Sequence, residues 1–182
     1  MPGMKSGDPH RIELRLREIA QLFNSLDPSP FIDRDLDADA EEFILGWARE
    51  VHIGQELELV VHLATPPPPD RAASLESAVR HYFATRAEMK QREFRLLLHR
   101  GRISLVVGVV FLALCLGLAE VALKLGGGAF GGFAATSLTI VGWVAMWRPL
   151  EIYLYDWWPV REERRNLERL ARMAVRVLAP PA

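Results

Sequence analysis

ISLVVGVVFLALCLGLA, residues 103–119, is an uncharged run of 17 residues, and LGGGAFGGFAATSLTIVGWVAMW, residues 125–147, is a second of 23. Crossing about 30 Å of hydrocarbon takes about 20 mostly apolar residues in a helix. Residues 103–122 meet that length with Glu120 at the far headgroup level, and residues 129–147 meet it unaided. The competing reading, a hydrophobic hairpin buried in a soluble core, fails on size, because a chain of 182 residues could hardly wrap two such uniformly apolar helices. The first 100 residues are polar and carry no apolar h-region, so neither run reads as a signal peptide. The expected architecture is a mainly α membrane protein, a transmembrane helical hairpin (103–122 and 129–147) closed by an external turn at 123–128.

The flanking charges orient the hairpin. Residues 86–102 hold six cations and residues 148–176 hold seven arginines, whereas the turn offers only Lys124. The positive-inside rule then places both termini in the cytoplasm and the turn outside. The turn is too short to carry an external domain. Glu120 is the one acid near the hydrocarbon, and such a group invites a proton or ion relay. Lys124 stands four residues on, the favourable Glu-to-Lys helical spacing, so an ion pair at the outer headgroups is the expectation. Gly108, Gly117, Gly142 and the glycines of the turn favour a tight hairpin over a dimerisation motif, and Cys115 reads as a small hydrophobe.

Outward from the hairpin, the N-terminal side reads as a small α+β cytoplasmic domain (9–69) behind a disordered segment (1–8), followed by a helical stalk (70–102) with Gly101 as its hinge. Asp8-Pro9 supplies a helix start, and Ile12, Leu16, Ile19, Phe23 and Leu26 recur at steps of four and three, which predicts an amphipathic helix. Phe31 to Arg34 is a candidate short strand. Asp37 or Asp39 caps a second helix, with Phe43, Ile44, Trp47 and Val51 as its buried stripe. Leu57, Leu59, Val61 and Leu63 then alternate with Glu58, Val60 and His62, the period of a half-buried strand. A lone strand must pair. Its partner is either the Phe31 segment or a second copy of the chain, and in the second case Leu57, Leu59, Val61 and Leu63 mark an interaction edge.

Beyond the hairpin, Leu150, Tyr153, Leu154, Trp157 and Trp158 fall on one helical face after Arg148-Pro149. Arg148, Tyr153, Trp157 and Trp158 are thus expected at the membrane interface, the alternative being that this face packs on the cytoplasmic domain. Pro159 starts a further amphipathic helix with Leu167, Leu170, Ala171, Ala174 and Leu178 as its stripe, the interfacial and amphipathic segment running over 149–178. Its basic excess suits anionic lipid or the acidic stretch 27–58, where ten acids face only Arg34 and Arg49.

Composition excludes several function classes. A single cysteine rules out a disulfide framework, no Cys/His cluster has zinc-ligand spacing, and a net charge of -1 argues against nucleic acid as a partner. The acidic stretch lacks the glycine of a calcium loop. No Ser/His/Asp, Cys/His, phosphate-loop or His-Glu-x-x-His pattern occurs, and the five histidines are scattered, so no catalytic residue, metal or cofactor is expected. The segments Pro30 to Phe43 (PFIDRDLDADAEEF) and Trp147 to Pro159 (WRPLEIYLYDWWP) resemble a group of bacterial two-span membrane proteins with no assigned activity. That resemblance implies a bacterial inner membrane and carries over no active site. The expectation is a non-enzymatic, membrane-anchored scaffold or accessory subunit, partnered by the bilayer and by a second copy or another membrane protein. An oligomeric pore or transporter component is the alternative.

Overall fold

The computed structural model of the protein describes residues 9–178 apart from 53, 66, 67 and 127, so the expectations for the first eight residues and the centre of the turn lie outside the described residues. The chain divides into two compact units, residues 1–90 with 162–182, and residues 91–161.

The first unit is built on a three-stranded parallel sheet in the order β1-β2-β3, with β1 at His10–Leu16, β2 at Leu57–Leu63 and β3 at Ala174–Leu178. The register sets Ile12 and Val175 beside Leu59, and Leu14 and Val177 beside Val61. These residues share one face of the sheet with Leu16, Leu57 and Leu63. They join a core with Ala40, Ile44, Leu45 and Ala48 of α1 (Ala38–Glu50), with Leu75, Val79 and Phe83 of α2 (Pro69–Leu125), and with Leu167 and Leu170 of α5 (Trp157–Leu170). Asp37 caps α1, its carboxylate accepting from the Asp39 N–H at 3.1 Å.

Five expectations are corrected by this architecture. Residues 12–26 do not form an amphipathic helix; they make β1 and a single 3-10 turn at Ile19–Leu22. Ile12 and Leu16 are four apart, a spacing that suits either period. Leu14 is the discriminating residue, since it shares their face only in a strand. The Phe31 segment is a turn beside an isolated antiparallel bridge between Phe23 and Leu36, and the strands that flank β2 are β1 and β3. The residues after Leu170 leave the helix, and Ala174–Leu178 becomes β3, so the C-terminal segment completes the sheet instead of continuing as an amphipathic helix. Both edges of β2 are therefore occupied, and Leu57, Leu59, Val61 and Leu63 are core residues at most 5% exposed, not an interaction edge. The stalk also begins later than its sequence suggests, because α2 from Leu75 to Ala87 lies in the core.

The loop between Phe23 and α1 is organised by Asp27, whose two carboxylate oxygens accept from the Ser29 N–H at 2.9 Å and the Asp35 N–H at 2.8 Å. These bonds, the one from Asp35 foremost, hold the Asp27 carboxyl down at about 2. A depressed carboxylate pKa gives stability that is fully present above the unfolded value near 3.8 and is lost as pH falls toward 2. Asp27→Asn is accordingly expected to unfold more readily than wild type at pH 7 and to match it near pH 2. A mutant deficit of equal size at both pH values, read from urea midpoints, would contradict this role.

The second unit is a helical hairpin. α2 continues unbroken through Gly101 to Leu125, and α3 (Ala129–Ala145) returns beside it. Both helices contain stretches long and apolar enough to cross a membrane, and only 17% of the most apolar window of each is buried. Small residues seat the pair. A Cβ on Gly142 would lie 2.9 Å from Leu112 Cδ1 and 3.0 Å from Cys115 Cβ, and one on Gly131 would overlap the Gly126 carbonyl oxygen. Gly101 is not a hinge but a close approach, where a Cβ would come within 2.8 Å of Ile152 Cγ2. Overpacking costs about 1–3 kcal/mol, so Gly142→Leu should lower the thermal midpoint of the detergent-solubilised protein, whereas Gly132→Leu, at a position open to 4 Å, should not. Equal midpoints for the two variants would show that the helices do not pack as described.

After α3 come α4 (Trp147–Glu151), a π-helical turn at Ile152–Asp156, and α5. Pro149 lies within α4 and does not terminate a helix there. The π turn widens the helical period, so the five-residue aromatic face is reshaped. Ile152 is the buried residue of this turn, while Tyr155 is 70% exposed.

Candidate functional site

The sheet has two unlike faces. Opposite the core face stand Arg11, Glu13 and Arg15 of β1, Glu58, Val60 and His62 of β2, and Ala174 and Arg176 of β3. Glu58 is 2% exposed, a carboxylate buried at the start of the central strand. Arg11 donates to Glu58 Oε2 at 3.1 Å from one neighbouring strand, and Arg176 approaches Oε1 at 2.6 Å from the other. The two guanidinium side chains are 64% and 66% exposed, so they bring solvated positive charge to an acid that has lost its own water. Farther along the same face His62 Nε2 lies 3.6 Å from Glu13.

A cleft of about 570 Å³ opens where β2 and β3 begin, walled by Gly54, Leu57 and Met173 and flanked by Arg80, Arg169, Arg172 and Arg176. Arg169 is committed to the framework. Its terminal nitrogens donate to the carbonyls of Ala48 and Val51 at 3.2 Å and of His52 and Gln55 at 3.0 Å, as well as to the Asn166 amide oxygen at 3.2 Å. It closes the C-terminal end of α1 and the loop that leads into β2. Burial among these groups pulls its pKa below the ordinary arginine value.

The other three arginines are anchored through Nε. That of Arg80 donates to the Met173 carbonyl at 2.9 Å and that of Arg172 to the Glu168 carbonyl at 3.0 Å, and that of Arg176 forms an ion pair with Glu58. Arg80 also pairs with Glu76 at 2.9 Å. The terminal nitrogens of Arg172 and Arg176 have no partner among the described residues.

A second cluster ties α1 to α2. Glu41 accepts from Tyr82 Oη at 2.7 Å and from Arg86 at 2.6 and 2.9 Å. Burial, then the bond to Glu41, raises the Tyr82 pKa well above the ordinary phenol value. The acids of the 27–58 stretch are thus partly spent as internal ties, to Tyr82 and Arg86 here and to Arg11 and Arg176 at Glu58. Among the described residues no group of three or more His, Cys, Asp or Glu is placed to hold a metal ion.

The residues singled out in sequence do not converge on one site, although the expected pair between Glu120 and Lys124 is present. Glu120 and Lys124 stand as an i,i+4 pair at 3.7 Å, both about three-quarters exposed. Arg148 pairs with Glu151 at 3.1 Å and Asp156 at 3.5 Å, and the Trp157 indole donates to the Tyr153 carbonyl at 2.8 Å. Tyr153 and Trp158 are exposed. Glu58, Arg80, Arg169 and Arg176 escaped sequence reasoning because they have partners up to 121 residues away, and Arg172 because the cleft it flanks is assembled from distant segments. The one local signal was a carboxylate set between leucines at the start of a strand. No family model, no curated protein and no solved structure matches the chain.

Proposed function

We propose that the chain is a non-enzymatic two-pass protein of the bacterial inner membrane, with both termini cytoplasmic, that serves as a membrane-anchored scaffold or accessory subunit. The observation that carries this reading is the exposed apolar surface of α2 and α3, including Val106, Leu114, Val144 and Trp143, each more than 60% exposed. Uncovered side chains of this kind in water would aggregate, and hydrocarbon is the solvent that suits them. Two further features agree with it. Residues on both sides of the hairpin share one folded unit, which requires the two flanks to lie on the same side of any membrane crossed. The basic residues beside both helices support the cytoplasm as that side.

A reporter enzyme active only outside the cytoplasm should be silent when fused after residue 182 and active when inserted at residue 127. The scaffold role is tested by extraction in a mild detergent and mass measurement of the intact particle. The expected result is a fixed stoichiometry with a second polypeptide. A bare monomer that lacks any partner would remove the scaffold reading, and ion conductance in reconstituted vesicles would replace it with a pore.

A further inference from the structure

We propose that the cleft at the start of β2 and β3 binds the phosphate group of an organic phosphate, through the free forks of Arg172 and Arg176 with Arg80 beside them. The proposal goes beyond the scaffold role and does not rest on it. Its basis is the way the arginines are held. A surface arginine ordinarily loses side-chain entropy when it grips an anion, which erodes the gain. Here three guanidinium groups are each fixed through Nε, Arg80 on the Met173 carbonyl, Arg172 on the Glu168 carbonyl and Arg176 on the buried Glu58. In Arg172 and Arg176 this leaves the paired terminal nitrogens, the edge of the fork that grips two phosphate oxygens side by side, whereas Arg80 keeps one terminal nitrogen on Glu76 at 2.9 Å. Much of the ordering cost is therefore met in the folded chain, as pre-organised binding requires.

The charges around the cleft favour an anion. Four arginines line it against Glu56 and Glu58; Arg80 is paired with Glu76, and Glu58 is shared between Arg176 and Arg11, the latter from outside the lining. Arg169 adds positive charge to the wall while its donors stay on main-chain carbonyls, so it acts on the field and not as a ligand. The volume, about 570 Å³, exceeds that of a bare phosphate, and Gly54, Leu57, Met173 and Ala174 supply an uncharged wall for the organic portion. Two sources present this chemistry, a soluble phosphate ester and a phospholipid headgroup.

The test uses the full chain in phosphatidylcholine nanodiscs, titrated with sodium pyrophosphate by calorimetry against sodium chloride of equal ionic strength. Saturable binding is expected for wild type. Arg172→Ala should weaken it about tenfold, the value of one charge-assisted fork, and Arg172→Lys should recover only part of the loss. Arg172 is exposed and makes one bond, to the Glu168 carbonyl, so the variant is expected to unfold at the wild-type temperature in the absence of ligand. Arg165→Ala removes the same charge at an exposed position outside the cleft and should bind as wild type does. In discs containing phosphatidic acid, competition with pyrophosphate would identify the lipid headgroup as the source, and unchanged binding would identify a soluble ester. Absence of saturable binding in phosphatidylcholine discs, or an equal loss in Arg165→Ala and Arg172→Ala, would overturn the proposal.

Discussion

Arg169→Ala should be among the most damaging single substitutions in the α/β unit. The side chain donates to four main-chain carbonyls and to Asn166, which is 2% exposed. Removing it strands several acceptors in a partly buried setting. A hydrogen bond to a charged group contributes about 1.5–3 kcal/mol, and each abandoned buried acceptor adds a penalty of its own. Solvent reaches part of this site, so the expected loss is about 3–5 kcal/mol and not the full sum. For a chain of this size that corresponds to a fall of about 10 °C in the thermal midpoint, measured by circular dichroism in detergent. Arg169→Lys should recover less than half of it, because one ammonium cannot span carbonyls that a planar fork reaches from both ends. A midpoint close to that of wild type in Arg169→Ala would show that residues 48–55 hold their course without this tie.

The second large effect is an asymmetry at Glu58. Arg11→Ala with Arg176→Ala leaves a carboxylate that is 2% exposed with neither of its charge partners, and the expected cost is about 3–5 kcal/mol. Each single replacement should cost much less, since the other guanidinium remains within reach, so the double variant should be worse than the two singles added. Glu58→Gln should cost only about 1 kcal/mol, because it releases two arginines that are already about two-thirds in water. Urea midpoints for the four proteins decide the matter. If Glu58→Gln proves as damaging as the double variant, the acid matters through some contact other than its two arginines.

The same asymmetry separates local from distant information. Asp37 ahead of α1 and the alternation of β2 are local patterns, each legible within a dozen residues, and both elements stand where the sequence puts them. The error at β1 has a definite cause. Ile12, Leu16, Ile19 and Phe23 satisfy a helical stripe, but Arg11, Glu13 and Arg15 interleave with Ile12, Leu14 and Leu16 just as well. Pairing with β2 over seven positions decided between them. At β3 the apolar stripe of α5 runs on to Ala171 and Ala174, while Val175, Arg176 and Val177 already alternate. The open edge of β2 selects the strand.

What the amino-acid sequence determined by itself is the pair of long apolar helices, their short glycine-rich turn, the helical course from residue 70 into the first of them, and the placement of α1 and β2. Each of these depends on an uninterrupted apolar run, a cluster of glycines, a repeat of two or 3.6 residues, or a cap within the first turn, so a window of the sequence contains the whole cause. Only the tertiary structure decided that residues before and after the hairpin form one sheet, that β2 is its centre, and that Arg80, Arg169, Arg172 and Arg176 meet around one cleft. Those outcomes depend on which strand finds which edge. Glu58 pairs with Ala174, 116 positions along the chain, and a contact over that distance is set by the burial of the core face as a whole and by no motif in either segment.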